Sequence, residues 1–125
     1  MRRKYVLVVG ASGFLGKNLI EELSTGKYSI VATYNSTNNL DVNKVIPFQL
    51  DLSDKGKIKE LLSGYEFDLI FYFSSLTNVS KSITNPILDK MNLIHMLTFL
   101  EELKYVHYLK KLKLIYASSG GTVYG

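Results

Sequence analysis

Tyr5-Val6-Leu7-Val8-Val9-Gly10-Ala11-Ser12-Gly13-Phe14-Leu15-Gly16 is the stretch on which the reading of this chain rests. An apolar, largely β-branched run ends in three glycines spaced three residues apart, and apolar residues at helical spacing continue from Phe14 to Leu23. A short continuous apolar run marks a strand buried on both faces of a parallel sheet. Glycines at its end allow positive φ and let another group come close to the main chain. The helix that follows leaves its first N–H groups unpaired at the positive end of its dipole. Strand, tight turn and helix together therefore suit a pyrophosphate without any basic side chain.

Glycines at this spacing also make ordinary strand-to-helix turns; the strand before and the helix after raise the pattern above that. The other phosphate loop, G-x-x-x-x-G-K-[ST], does not fit. Gly10 to Gly16 encloses five residues, and Asn18 stands where Ser or Thr would hold magnesium. This sets a kinase or NTPase aside.

A length of 125 residues bounds the chain to one domain, 1–125, large enough to bury a core. Hydrophobic content of 46% and charged content of 21% are those of an ordinary globular protein. Part of the net charge of +4 comes from Arg2, Arg3 and Lys4 before the first strand and part from Lys110, Lys111 and Lys113 before the last. Such flanks of buried strands are solvated and do not form a nucleic-acid footprint. The absence of cysteine excludes disulfides and thiol-ligated metal and suits a reducing compartment. No apolar run reaches transmembrane length and no signal peptide is expected, so the expected location is the cytoplasm, with no membrane partner.

Along the chain, Tyr28 to Tyr34 reads as a second strand and Asn35 to Asn39 as a loop. In a dinucleotide-binding fold an acid at the end of this strand takes the ribose 2′-hydroxyl, and its absence leaves room for a 2′-phosphate. Tyr34-Asn35-Ser36 carries no acid, which leans slightly to NADP, but no arginine either, so NAD and NADP both stay open as cofactor. A third strand is expected over Val45 to Leu50, with Pro47 suggesting an edge. Ser53 or Asp54 is placed to cap a helix running to about Leu62, and Asp51 is either a turn residue or a neighbour of adenine. The fourth strand, Asp68 to Phe73, ends in Ser74-Ser75-Leu76-Thr77-Asn78, small polar residues of the kind expected where a ligand lies across a sheet edge.

A long helix is expected from about Pro86 to Leu109. Leu93, Leu97, Leu100, Leu103 and Val106 form one stripe, which Ile94, Met96 and Phe99 widen. A helix apolar on more than one face is covered twice, by core and by further chain or a second subunit; a homodimer through residues 86–109 is one such cover. Lys113 to Ala117 reads as a fifth strand, followed by the glycine-rich Ser118 to Gly125. Alternating strands and helices imply an α/β, doubly wound parallel sheet in the order 3-2-1-4-5, truncated after the fifth strand.

Together these signals resemble the extended short-chain dehydrogenases/reductases, and within them the NAD(P)-dependent nucleotide-sugar epimerases and dehydratases. Gly10, Gly13 and Gly16 match the family's G-x-x-G-x-x-G, and Ser118 to Gly125 is similar to its S-S-x-x-V-Y-G signature. The resemblance implies that backbone amides around Ser12, Phe14 and Leu15 hold pyrophosphate. It places Asp51-Leu52 at adenine and Tyr34, Asn35 and Ser36 at the adenosine ribose. Phe73, Ser74, Ser75 and Thr77, with Asn92 on the helix, fall near ribose and nicotinamide. It further implies a nucleotide-sugar substrate and hydride transfer at a sugar carbon.

The departures are specific. Gly120 stands where the family carries its catalytic Ser or Thr, leaving Ser119 and Thr122 as the candidate hydroxyls. No tyrosine has a lysine four residues later, so the family's Tyr-x-x-x-Lys general base is missing. Loss of that base implies that the chain holds cofactor without turning over substrate, as the N-terminal part of a longer enzyme. The other readings are a non-catalytic dinucleotide sensor and a reductase on a non-sugar substrate.

Overall fold

The computed structural model describes residues 4–11, 14–35, 40–73, 87–117 and 123–124. Strand β1 (Lys4–Val9) leads into helix α1 (Phe14–Leu23) and strand β2 (Tyr28–Tyr34). Strand β3 (Ile46–Gln49), helix α2 (Lys55–Gly64) and strand β4 (Phe67–Tyr72) follow, then helix α3 (Ile87–Leu103), strand β5 (Lys113–Ala117) and a short strand β6 (Val123–Tyr124). The sheet order is β3-β2-β1-β4-β5-β6. The first five strands run parallel in the expected 3-2-1-4-5 order. Pro47, which has no N–H to donate, lies in the edge strand β3.

The β1 run is buried from both sides because successive side chains face opposite layers. Leu7 and Val9 join Val31, Ile70 and Tyr72 under α2 and α3, whereas Val6 and Val8 join Ile30, Ala32 and Ile20 of α1. Asp54 caps α2, its Oδ1 accepting the Lys57 N–H at 3.1 Å, an interaction generally worth about 0.5–2 kcal/mol. Ile58, Leu61 and Leu62 on one face of that helix are buried. At the start of β4 the register to β1 shifts, pairing Tyr5 with Phe67 but Val6 with Leu69. Asp68 is the extra residue, and its Oδ2 accepts the Tyr5 N–H at 3.2 Å.

Three expectations need correction. The long helix ends at Leu103 rather than Leu109, because the chain turns there through N–H bonds from Tyr105 to Glu102 and from Val106 to Leu103. The turn carries Tyr108 into the core, where its hydroxyl donates to the Leu62 carbonyl at 2.7 Å. Burial, with Glu66 nearby, pushes the Tyr108 phenol well above its usual range. Of the expected stripe, Leu100, Leu103 and Val106 do pack on the core, but Leu93 and Leu97 do not. Phe99 and Leu103 are buried with Met96 and Leu100 packed beside them, while Leu93 and Leu97 are 52% and 53% exposed. Phe99 decides this orientation by packing on Tyr72, ring centroids 5.3 Å apart. Strand β6, where sequence suggested only a loop, folds back antiparallel on β5 and pairs Tyr116 with Tyr124.

Replacing Phe99 by alanine empties the centre of the α3 contact. Denaturant unfolding is expected to show a loss of about 3–5 kcal/mol for Phe99→Ala, and less than about 1 kcal/mol for Leu97→Ala on the exposed side of the same helix.

Candidate functional site

The carboxyl ends of β1, β2, β3 and β4 lie along one edge of the sheet, and β1 is the strand at which the chain order reverses. Such a reversal opens a crevice at that edge. Gly10 turns the main chain there with φ of 82°, the single described residue with positive φ. Its N–H donates to Thr33 Oγ1 at 3.1 Å, and the Ala11 N–H donates to the Thr33 carbonyl at 3.2 Å. On the other side the Phe73 N–H donates to the Val9 carbonyl at 2.9 Å. The turn is thereby pinned to both neighbouring strands.

Gly16 lies in the first turn of α1 and is buried against this turn. A Cβ on Gly16 would sit 2.7 Å from Ala11 Cα and 2.8 Å from the carbonyl oxygens of Ala11 and Gly10. No side chain fits, so α1 starts directly beside the end of β1. Its first turn holds no acidic residue, which leaves the positive end of the helix dipole uncompensated. Gly10 and Gly16 together bring the start of α1 against the end of β1.

The remaining named residues sort by position. Tyr34 ends β2 half-buried, its carbonyl accepting the Leu50 N–H at 2.8 Å, and exposed Asn35 follows, its carbonyl accepting from Gln49 Nε2 at 3.1 Å. Exposed Asp51 follows β3, and its Oδ1 accepts the Ser53 N–H at 2.9 Å and the Ser53 hydroxyl at 2.7 Å. Those two bonds, helped by the charge of His95 on α3, hold the Asp51 carboxyl below the usual carboxylate range. Leu52 is buried in the core under α2 and α3. Phe73 is half-buried 5.9 Å from the Phe71 ring, and Asn92 is half-buried on α3. Phe14 and Leu15 open α1. Ser12, Gly13, Ser36, Ser74, Ser75, Thr77, Ser119 and Thr122 lie outside the described residues.

Sequence reasoning passed over Thr33, the one buried polar side chain among the described residues. No local signal marks it, since a threonine within a β-branched strand looks like any other strand former. Tyr72, also at this edge, is pushed far above its usual range by burial, with Tyr116 adding to the effect. It is a neutral phenol at neutral pH and not a ready proton acceptor. An apolar cavity of about 330 Å³ lies beside it, lined by Tyr72, Met96, Leu100, Leu114 and Tyr116. A second cavity of about 350 Å³, between Lys59 and His107, is at the opposite end of the sheet. Among the described residues there is no cluster of three or more potential metal ligands, and no helix is long and apolar enough to cross a membrane.

The profile of the NAD dependent epimerase/dehydratase family matches residues 6–125. The chain belongs to this family. Arabidopsis thaliana UDP-glucose 4-epimerase 2 is 29% identical over 136 residues, which is 98% of this chain and 38% of that protein. The UDP-glucose 4-epimerase of Bifidobacterium longum, solved with NAD+ and UDP, is 25% identical with a TM-score of 0.75 over 92% of this chain and 37% of that one. The enzyme from Brucella ovis, solved with NAD, has a TM-score of 0.77 at 21% identity, covering 90% of this chain and 35% of its own, and shares the fold. The chain thus spans under two fifths of the length of these epimerases.

Within this family member, Gly16 has no freedom to carry a side chain. Gly16→Ala is expected to lower the unfolding free energy by about 1–3 kcal/mol as α1 is forced off β1. Gly64→Ala, where a Cβ meets nothing within 4 Å, is expected to leave stability unchanged or raise it slightly. Thermal and urea unfolding of the two variants check the contrast.

Proposed function

We propose that this chain is the cofactor-binding part of an NAD-dependent nucleotide-sugar epimerase. The observation that carries the reading is the backbone cradle at the end of β1, where Gly10 turns at positive φ and Gly16 admits no Cβ. The UDP-glucose 4-epimerases named above support the substrate class. Bound NAD would supply a hydride acceptor and donor for a sugar carbon.

The chain's own residues then divide the work. Amides from Ser12 to Leu15 hold the pyrophosphate, with Gly10, Gly13 and Gly16 keeping the main chain close. Asp51 and Leu52 flank adenine; the Asp51 carboxylate, already fixed by Ser53, offers an acceptor and the Leu52 backbone the adjoining wall. Tyr34, Asn35 and Ser36 border the adenosine ribose. Phe73, Ser74, Ser75, Thr77 and Asn92 border the second ribose and nicotinamide, and Ser119 or Thr122 offers a hydroxyl to a substrate oxygen. Work in the cytoplasm agrees with a chain that has no cysteine.

Exposed Ile87, Met91, Leu93, Ile94 and Leu97 give α3 an apolar outer face, and this face is proposed to meet the same face of a second copy. Sedimentation is expected to show a dimer that Leu97→Lys converts to monomer; a monomeric wild-type protein would remove this interface. The cofactor site is tested by calorimetric titration of the folded protein with NAD+ and NADH. One dinucleotide per chain is expected to bind saturably, and a folded protein that binds neither at millimolar concentration would overturn the reading.

A further inference from the structure

Two successive amides at the end of β1 converge on one residue of the neighbouring strand. The Gly10 N–H donates to the Thr33 hydroxyl at 3.1 Å, and the Ala11 N–H donates to the Thr33 carbonyl at 3.2 Å. Along an extended strand successive N–H groups point to opposite sides, and the positive φ of Gly10 is what turns both toward β2. A main-chain carbonyl serves Ala11, as in an ordinary ladder. Gly10 depends on a side chain, and the residues before Thr33 in β2, Ile30, Val31 and Ala32, are of types that offer no acceptor.

Thr33 is buried, so its hydroxyl carries a desolvation cost that a hydrogen bond must offset. β-Branching restricts its χ1 and fixes where the oxygen stands. The bond it makes goes to the very residue that ends β1 and hands the chain on to α1.

From this geometry we infer that Thr33 is a positioning residue for the dinucleotide: its hydroxyl, by holding the Gly10 N–H, keeps the β1–α1 turn in the arrangement that receives the cofactor, without touching the cofactor itself. The inference rests on the dinucleotide reading above and adds to it a residue that acts through the turn. Without the bond the turn divides among several arrangements, and the apparent affinity falls by the fraction that stays competent.

The test compares Thr33→Val, which keeps the branched shape and loses the hydroxyl, with Thr33→Ser, which keeps the hydroxyl and loses the methyl. Calorimetric titration with NAD+, well below each protein's melting temperature, is expected to show binding weakened about tenfold or more in Thr33→Val and within about threefold of wild type in Thr33→Ser. A merely structural role lowers the melting temperature and leaves the affinity of the folded protein alone, so a Thr33→Val protein that binds as wild type overturns the inference. Equal losses in the two variants overturn it as well, because packing of the methyl would then be what matters. Amide exchange of the unliganded wild-type protein, followed by NMR, decides the matter should Thr33→Val fail to fold. The Gly10 N–H is expected to exchange as slowly as the Ala11 N–H, and a freely exchanging Gly10 overturns the inference. A folded wild-type protein that binds no NAD+ removes the dinucleotide reading itself, and the inference with it, whatever the exchange at Gly10.

Discussion

Close approach of two backbones, Gly16 against Gly10 and Ala11, is the constraint on which the arrangement depends. It sets where α1 begins, and so which N–H groups face the crevice. It also demands that β1 end abruptly, which the positive φ of Gly10 provides. Thr33 then locks the turn to β2 with a side-chain and a main-chain acceptor. The junction of β1 and α1 is thus fixed by sterics and hydrogen bonds of the main chain and one threonine side chain.

The parts legible in sequence are those with strong local periodicity. The β1 run and its glycines place the strand, the turn and the start of α1, and the strand expected over Asp68 to Phe73 matches β4 within one residue at either end. Parallel order follows from strands alternating with helices. The signal is weaker where tertiary packing decides. Along α3, apolar residues occupy every side of the helix, so spacing alone cannot tell Phe99 from Leu97. The choice is made by Tyr72, which comes from a different strand. The end of α3 is set in the same way, by the distant Leu62 carbonyl that receives the Tyr108 hydroxyl. Of the candidate site, the positions of Gly10 and Gly16 at the junction of β1 and α1, and of Asp51 just after β3, could be read from sequence. Thr33 could not, because a threonine in a β-branched strand looks like any other strand former.

The two layers of the sheet are unequally covered. Helices α2 and α3 close one face over β1, β4 and β5, where Phe67, Phe99 and Ile70 are fully buried. On the other face α1 covers β1 and β2, while Leu69, Phe71 and Phe73 remain only partly buried. The relatives named above are more than twice as long as this chain. The outer side of α3 and the face of β4 away from α3 are accordingly the surfaces of this domain best suited to further association.

The parallel pairing also fixes an order in time. Strand β1 is made first, yet it is the centre of the sheet, and its Tyr5 N–H bonds to a carboxylate 63 residues further along. At a synthesis rate of about 5–20 residues per second, that partner follows roughly 3–13 s later. Until then the run Val6 to Val9, wholly buried in the finished domain, has at most one of its two neighbouring strands. The most water-averse segment of the molecule is thus the one that waits longest for shelter, and the nascent chain must remain soluble through that interval.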